Sequence, residues 1–285
     1  MPEDRRRRPD RKRLLIGPFI ALAIVAVLLL AALLIRGGEP PATPAAPLPP
    51  TVPVALPALP PPPLTRTEIV QTANAAAAAY ASGAPPSTTR SPLIGREFAL
   101  RIPLGCAGPG GAPAAAQATV ELEPKTATLK LQARPAVWTG LPALQGLDAA
   151  ERIETIEGFW IPRPWTNSEA CPPARDIPLP ATPTPATAET VGLARVFQKG
   201  GSRILMRGAR PYEYVVRSPK PGGPDLNQRF TLVLEGRLVG FSDGQATRCW
   251  SESPYHRPIC IYAVEYDRVA FEEAQSHKTL AEWRE

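Results

Sequence analysis

Apolar residues follow three different patterns along this chain, and the first is a long uncharged run. Residues 14–35 contain no Asp, Glu, Lys or Arg, and 15 of these 22 residues are Leu, Ile, Val or Phe. A helix of that length measures about 33 Å, which matches a hydrocarbon core about 30 Å thick. A soluble helix would need polar residues on part of its circumference. The run therefore predicts a transmembrane helix over 14–35.

The charges on either side of this run predict its orientation. Residues 1–13 hold seven Lys or Arg, whereas the 29 residues after the run hold only Arg36. Because Lys and Arg remain on the cytoplasmic side, we expect 1–13 to be a basic cytoplasmic tail and the bulk of the chain to be exported. The run is too long for a cleaved signal peptide, and no A-x-A-like site follows it at the expected distance. It is predicted to be an uncleaved signal-anchor, so the lipid bilayer is the first expected partner.

The second pattern is a proline-rich stretch that follows the run. Twelve of the 25 residues from 39 to 63 are Pro. This composition favours polyproline II and predicts a stiff linker over 36–64. A basic tail, one span and a Pro-rich spacer resemble the layout of TonB-type transducers and of the Pro-rich scaffold subunits of bacterial secretion channels. The resemblance covers organisation over residues 1–64 only, so it carries no functional residue to this chain.

A short helix is predicted over 65–83. Thr65 and Glu68 fit a capping box, in which the Thr hydroxyl and the Glu carboxylate each accept a hydrogen bond from the other residue's backbone. An Ala-rich run follows, and Gly83 with the prolines after it marks the end. Ile69 and Ala73 fall near one face, which favours docking on the body of the protein or on a sister chain.

The third pattern, over 90–285, is a series of short alternating runs separated by Gly and Pro. It is typical of mainly β proteins and predicts a β-sandwich or barrel-like domain. The predicted strands are Phe98–Pro103, Ala118–Glu123, Ala127–Ala133, Ile153–Ile161, Val191–Phe197, Arg203–Met206, Tyr212–Arg217, Phe230–Leu234, Leu238–Phe241, Ala246–Trp250 and Cys260–Tyr266. A tight turn is predicted at 235–237 and a final short helix from Ser276. Prolines near 172–187 leave open whether this is one domain or two halves.

Composition changes this picture little, because the charge is unevenly distributed. Most of the net charge of +6 lies in the tail and Arg36, and residues 37–285 hold 24 basic and 23 acidic groups. A nucleic-acid-binding domain concentrates basic charge on its folded surface, so no nucleic-acid partner is expected. Arg outnumbers Lys 26 to 6, which is typical of a GC-rich bacterial genome. We therefore expect a single-pass bacterial inner-membrane protein with a periplasmic C-terminal domain.

Four cysteines, Cys106, Cys171, Cys249 and Cys260, lie in the predicted periplasmic region. An even number of cysteines in an oxidising compartment predicts disulfides, and four allow three connectivities. The bonds Cys106–Cys171 and Cys249–Cys260 are favoured, because each then stays within one half of the domain. A zinc site at Cys249, His256 and Cys260 is the alternative, but this spacing is unusual for zinc and lacks a fourth ligand.

One string in the chain matches the nucleophile motif of a hydrolase. Gly240-Phe241-Ser242-Asp243-Gly244 fits G-x-S-x-G, whose Ser must lie on a sharp turn from a strand into a helix. Another apparent strand follows here, so a hairpin turn is the better interpretation. The only candidate bases are His256 and His277, and no Gly-rich phosphate-binding loop is present. No catalytic residue, cofactor or metal is therefore predicted.

Two acidic pairs have the residue types of a glycosidase. They are Glu154 with Glu157, and Glu272 with Glu273. Charged residues that alternate along strands usually form a solvated face instead, and no surrounding cue distinguishes these pairs.

Aromatic and arginine residues are the candidates for partner binding. Trp, Tyr and Arg dominate binding hot spots, although core packing is the alternative for the rings. The candidates are Trp160, Trp165, Arg210 and Tyr212.

Taken with the anchor and the spacer, these candidates favour a non-enzymatic protein. Its disulfide-stabilised periplasmic β-domain is expected to bind an envelope protein or polymer. The alternative is a membrane-tethered periplasmic hydrolase that uses Ser242 or an acidic pair. The sequence leaves the oligomeric state open.

Overall fold

The structure, a computed structural model, describes several separate stretches of the chain. They are residues 24–32, 60–85, 87–106, 108–110, 117–138, 140–146, 152–173, 189–208, 210–217 and 225–285. The chain divides into two compact units, residues 1–58 and 59–285. The predicted tail, the linker up to residue 59 and most of the Pro-rich stretch near 172–187 lie outside the described residues.

The first unit contains one described helix, α1, over residues 24–32. It lies within the predicted span 14–35, whose other residues are outside the described part of the chain. Its apolar side chains are exposed, and Val27 and Leu30 are 67% and 64% accessible. Among the described residues, no helix combines the length and the apolar character needed to cross a bilayer.

The second unit is mainly β, as the alternating runs predicted. Its described helices are α2, Arg66–Ala81, and a 3₁₀ turn, Pro142–Leu144. Its described strands are β1 Glu97–Leu104, β2 Ala118–Glu123, β3 Thr128–Ala133, β4 Ala136–Val137, β5 Ile153–Trp160, β6 Val191–Gln198, β7 Tyr212–Arg217, β8 Phe230–Leu238, β9 Thr247–Trp250, β10 Ile259–Glu273 and β11 Thr279–Arg284.

Helix α2 begins with the predicted capping box. The Thr65 side chain accepts a hydrogen bond from the Glu68 backbone, and the Glu68 carboxylate accepts one from the Thr65 backbone. The Thr72 hydroxyl lies 2.6 Å from the Tyr262 hydroxyl, which ties the helix to β10. The apolar face of α2 is buried in the main core. It consists of Ile69, Val70, Ala73 and Ala77.

Eight strands form a mixed sheet in which β10 is central. The main path has the order β1-β8-β10-β6-β5-β4, and β9 and β11 also pair with β10. The pairing of β6 with β10 is parallel. The other pairings between described strands of this sheet are antiparallel. Strand β5 precedes the Pro-rich stretch near 172–187 and β6 follows it, yet the two strands are neighbours.

The 15-residue strand β10 changes neighbours along both edges. On one edge it pairs first with β9, over Ile259–Tyr262, and then with β8, over Val264–Glu273. On the other edge it pairs first with β6, over Cys260–Ala263, and then with β11, over Arg268–Glu272. A β-bulge between Tyr266 and Arg268 marks the change. We call the part of β10 where β6 ends its pairing and β11 begins to pair the fork.

A second, smaller sheet has the order β2-β3-β7 and is antiparallel throughout its described strands. The main core contains Leu129 and Leu131 from this sheet together with Phe230, Leu232 and Leu234 from β8 of the larger sheet. Two sheets that bury apolar faces against each other form a sandwich-like fold, which confirms that prediction.

The opposite face of the larger sheet carries a smaller core around Trp138. At Gly158 a Cβ atom would come within 2.5 Å of the indole, and at Gly192 within 2.7 Å. The Trp160 ring lies beside it, with centroids 4.7 Å apart. The two glycines are therefore needed for the indole to approach the sheet.

The predicted turn at 235–237 is wrong, because β8 runs unbroken from Phe230 to Leu238. Gly236 serves a close approach between strands, since a Cβ atom there would lie 2.0 Å from the Glu265 carbonyl oxygen. Arg237, on the polar face of β8, pairs with carboxylates of β10. A glycine flanked by charges therefore marks a crowded strand position here.

The final segment also differs from the prediction. Thr279–Arg284 forms strand β11 rather than a helix from Ser276. Because β6 leaves β10 at the fork, an edge of β10 is free, and β11 pairs along it. Trp283 then packs against the rings of Phe271 and Tyr212. The predicted strand Arg203–Met206 is instead a turn.

Both favoured disulfides are present, which confirms the predicted pairing. Their Cα–Cα distances are 5.2 Å for Cys106–Cys171 and 4.1 Å for Cys249–Cys260. Cys249 and Cys260 face each other across β9 and β10. Because disulfides persist in oxidising compartments, these bonds support an extracytoplasmic type of domain.

Candidate functional site

A small pocket with a mostly apolar lining lies where β5, β6, β7 and β10 meet. It has a volume of about 10 Å³, which is room for one water molecule. Glu157 of β5 and Arg195 of β6 line it from directly opposite positions, and Tyr212 and Tyr266 complete its polar lining. The pocket therefore lies between the larger sheet and β7 of the smaller one.

Arg195 is 6% exposed although it is charged. Its Nη2 atom donates to the Glu285 carboxylate at 2.5 Å, and its guanidinium carbon lies 4.7 Å from the centre of the Phe197 ring. Its Nη1 atom is buried and has no hydrogen-bond partner within the described residues. A buried donor without an acceptor costs free energy, and Arg195 also lines the pocket.

Glu157 is 2% exposed, and backbone donors occupy its carboxylate. The N–H groups of Arg207 and Gly208 each donate to it at 2.8 Å. The Arg207 guanidinium in turn lies 4.2 Å from the centre of the Tyr212 ring. Because each carboxylate oxygen accepts a main-chain hydrogen bond, Glu157 holds the turn before β7.

The two tyrosines of the pocket remain protonated. Tyr266 donates its hydroxyl to the Leu193 carbonyl at 3.0 Å, and Tyr212 donates to the Leu205 carbonyl at 2.9 Å. Burial raises the pKa of Tyr266 well above the ordinary tyrosine value, and burial also raises the pKa of Tyr212. The two tyrosines of the pocket therefore act as neutral hydrogen-bond donors.

We expect the stability of the second unit to fall as the pH rises above about 10. The unfolded chain then releases tyrosine protons that folded Tyr266 retains, so the unfolded state binds fewer protons. The stabilising contribution of Tyr266 is present below the unfolded pKa and is lost at about 1.4 kcal/mol per pH unit above it. Denaturant unfolding between pH 9 and 11 measures this slope.

Two variants test the pH dependence. Tyr266→Phe should reduce the slope by the contribution of one tyrosine. Tyr255→Phe, at a position that is 94% exposed, should leave the slope unchanged. An unchanged slope in Tyr266→Phe would show that Tyr266 ionises equally easily in the folded and unfolded chain.

The second candidate site is the loop 161–171, which we call the tryptophan loop. Arg66 of α2 is 2% exposed and donates to three backbone carbonyls of this loop. They belong to Pro162, Arg163 and Thr166. Burial, and then the charge of Arg163, lower the pKa of the Arg66 guanidinium. The Cys106–Cys171 disulfide holds the other end of the loop.

Trp165 projects from the tryptophan loop into solvent and is 62% exposed. Glu169 of the same loop accepts a hydrogen bond from the Arg101 backbone N–H at 3.2 Å, which attaches the loop to the edge of β1. A large ring on a fixed loop loses little conformational entropy on binding, and Trp is enriched in binding hot spots. This arrangement suits recognition of a partner surface.

The four predicted partner-binding residues differ in exposure. Trp165 and Arg210 are exposed, whereas Trp160 is partly buried beside Trp138. Tyr212 is 2% exposed and belongs to the core, where its ring packs against Trp283. For Tyr212 the structure therefore shows the alternative of core packing.

Ser242 lies exposed in a turn between β8 and β9. The neighbouring Asp243 carboxylate pairs with Arg248 at 3.0 Å. Within the described chain no hydrogen bond joins Ser242 to His256 or His277. After the motif, the chain pairs with β10 as strand β9. A strand rather than a helix therefore follows the motif.

The acidic pairs are engaged in local contacts. Glu154 pairs with Arg203 at 2.7 Å, and Glu273 accepts a hydrogen bond from the Ser276 hydroxyl at 2.7 Å. Arg268 is 7% exposed and binds three carboxylates. They are those of Glu235, Glu272 and Glu282. The three carboxylates neutralise the buried Arg268.

The zinc alternative at Cys249 and Cys260 is excluded, because zinc requires free thiolates and both sulfurs are in a disulfide. Across the described stretches, no group of three or more His, Cys, Asp or Glu side chains has the arrangement of a metal site.

The roles of Arg66 and Tyr266 were not predicted, and only Tyr266 has a signal in the sequence. Arg66 directly follows the N-cap of α2, where an arginine is usually solvated, so its spacing gives no signal of burial. Tyr266 continues the alternation of Tyr262 and Val264, which does indicate a core-facing position. No protein-family model, no curated protein and no solved structure matches this chain.

Proposed function

We propose that this protein is a non-enzymatic, single-pass inner-membrane protein of a bacterium. Residues 14–35 anchor it with the N-terminus in the cytoplasm, and its β-domain binds an envelope protein or polymer in the periplasm. The observation that carries the proposal is the exposed Trp165 on a loop fixed by Arg66 and by a disulfide.

The membrane tether is supported by the sequence and by α1. The 22 uncharged residues follow a tail with seven basic residues. The described helix within them exposes large apolar side chains, which lipid would cover. The two disulfides support an oxidising compartment for the domain.

The presentation of Trp165 is supported by the way the chain enters the domain. Leu64 donates to the Glu97 carbonyl at 2.7 Å and accepts from the Ala99 N–H at 3.2 Å, so it pairs with the edge of β1. Arg66 follows two residues later and holds the tryptophan loop. The end of the spacer and the proposed binding loop are therefore attached to each other, and a partner on Trp165 would be held at a fixed place on the tethered domain.

The test uses the full-length chain in its bacterium, with a photo-crosslinking amino acid at the exposed position Asn167. We expect a discrete adduct in the carbonate-resistant membrane fraction, with all four cysteines oxidised. Trp165→Ala should reduce the adduct about 30-fold, because a hot-spot aromatic contributes about 2 kcal/mol to binding. Tyr255→Ala removes an even more exposed ring from another loop and should leave the adduct unchanged.

Two outcomes would contradict the proposal separately. Recovery of the chain in the soluble cytoplasmic fraction with reduced thiols would disprove the tether. A membrane-bound chain without an adduct, or with an adduct that Trp165→Ala does not change, would disprove binding through the tryptophan loop.

A further inference from the structure

Strand β7 ends the smaller sheet, and among the described strands only β3 pairs with it, which leaves its other edge open. It pairs with β3 on one side, over Tyr212–Arg217. From the rest of the described chain, no hydrogen bond reaches the backbone of β7. Every second residue of the strand therefore presents its N–H and C=O groups outward. Such an edge is a template for another strand.

Two other sheet edges in the described chain, those of β1 and β11, carry features that hinder the addition of a strand. Leu64 and Glu169 bond to the backbone of the β1 edge. Strand β11 carries Glu282 and Arg284 and follows an irregular register with β10, and charges and bulges discourage pairing. At the centre of β7, by contrast, lies Val215, which is 38% exposed.

The sequence of β7 complements itself when two copies run antiparallel. It reads Glu213-Tyr214-Val215-Val216-Arg217. If Val215 of each copy lies on a two-fold axis, Glu213 of one copy faces Arg217 of the second, and the reverse pair also forms. Tyr214 then faces Val216, which are both partly buried in the single chain. A shift by one residue would place the side chains on opposite faces and lose both charge pairs.

The two charges at the ends of this segment are available for such pairing. Arg217 makes no ion pair or hydrogen bond within the described chain. Glu213 contacts Lys130 and Gln132 of β3, each at 3.0 Å, on the side away from the free edge. A carboxylate has lone pairs for further donors, so these contacts leave capacity for an arginine of another chain.

We propose that two copies of this protein associate through antiparallel pairing of β7. The two three-stranded sheets then become one six-stranded sheet, closed by a two-fold axis. Both free edges are covered at once, and the contact does not propagate into a fibre. The partner at this edge is a second copy of the chain, because its own β7 supplies both the apolar centre and the opposite charges.

The first test is a cysteine crosslink in the full-length chain. Directly opposed residues of an antiparallel pair have Cβ atoms about 4.5–5.5 Å apart, which mild oxidation converts to a disulfide. Val215→Cys should therefore give a reducible dimer on a non-reducing gel, whichever cell fraction contains the protein. Val137→Cys, at a 50% exposed valine of β4, should remain monomeric. Absence of the dimer from Val215→Cys would overturn the proposal.

Charge reversal then tests the register. Glu213→Arg or Arg217→Glu, each combined with Val215→Cys, places like charges opposite each other and should reduce the dimer about five-fold or more. Co-expression of these two variants with tags of different size should restore a heterodimer, because all four opposed charges are then complementary. This recovery also shows that both variants fold. Dimers that are indifferent to the reversals, or no recovery in the mixture, would disprove the proposed pairing.

Discussion

Replacement of Cys106 and Cys171 by serine should lower the free energy of unfolding of the second unit by about 4 kcal/mol. The two cysteines are 65 residues apart, and closing so long a loop restricts the unfolded chain strongly. Cys249 and Cys260 are 11 residues apart, for which the same model gives about 3 kcal/mol. The β9–β10 ladder also holds those two residues together without the bond.

Thermal unfolding of the full-length chain, followed by Trp fluorescence, measures this difference. All five tryptophans lie between residues 138 and 283, so their signal reports on the second unit alone. A loss of 4 kcal/mol corresponds to a fall in Tm of about 8–16 °C for a unit of this size. The matched double variant at Cys249 and Cys260 should lose less. The reverse order would show that other contacts already hold the tryptophan loop.

Local patterns predicted those parts of the fold that depend on short-range chemistry. Alternation gave the bounds of β2 and β7, and the capping box gave the start of α2. The disulfide pairing was favoured because each bond then stays within one half of the domain, and Cys249 and Cys260 do lie on strands joined by one short loop. For the strands and the helix start, the signal lies within the element itself, whereas Cys106 and Cys171 are 65 residues apart.

Long-range contacts decided the elements that the sequence did not predict. Gly236 has the composition of a turn, but the backbone of β10 approaches it closely, and this contact is invisible in the local pattern. Thr279–Arg284 is too short for its pattern of apolar residues to distinguish a helix from a strand. It forms a strand because β6 leaves one edge of β10 open for pairing. Of the candidate sites, Trp165 was predicted from residue type. The buried Arg66 that fixes its loop was not, because its three partners lie about one hundred residues away.

Substitution of Arg66 by methionine is the second change for which we expect a large effect. Methionine keeps much of the apolar stem but removes every donor, so three loop carbonyls lose a charged partner. Hydrogen bonds to charged groups contribute about 1.5–3 kcal/mol each, and the cost of burying the guanidinium offsets part of this. We therefore expect a net loss of about 3 kcal/mol, or about 6–12 °C in Tm.

Two controls separate this effect from a general loss of charge. Arg66→Lys should be intermediate, because one ammonium group lacks the planar fork that reaches several carbonyls. Arg257→Met makes the same exchange at an exposed arginine that bonds to Asn74, and it should cost less than about 0.5 kcal/mol. If Arg66→Met were as mild as Arg257→Met, the buried guanidinium would not be what holds the loop.

Combining Arg66→Met with the serine replacements at Cys106 and Cys171 tests whether both attachments act on the same loop. Once one attachment is lost, the tryptophan loop is less ordered in the folded protein. The remaining attachment then contributes less to the free energy of unfolding. The combined loss should therefore be smaller than the sum by about 1 kcal/mol or more. The crosslink from Asn167 should fall in every variant that frees the loop, although Trp165 itself is intact. Strictly additive losses with an undiminished crosslink would mean that Trp165 is positioned by other contacts.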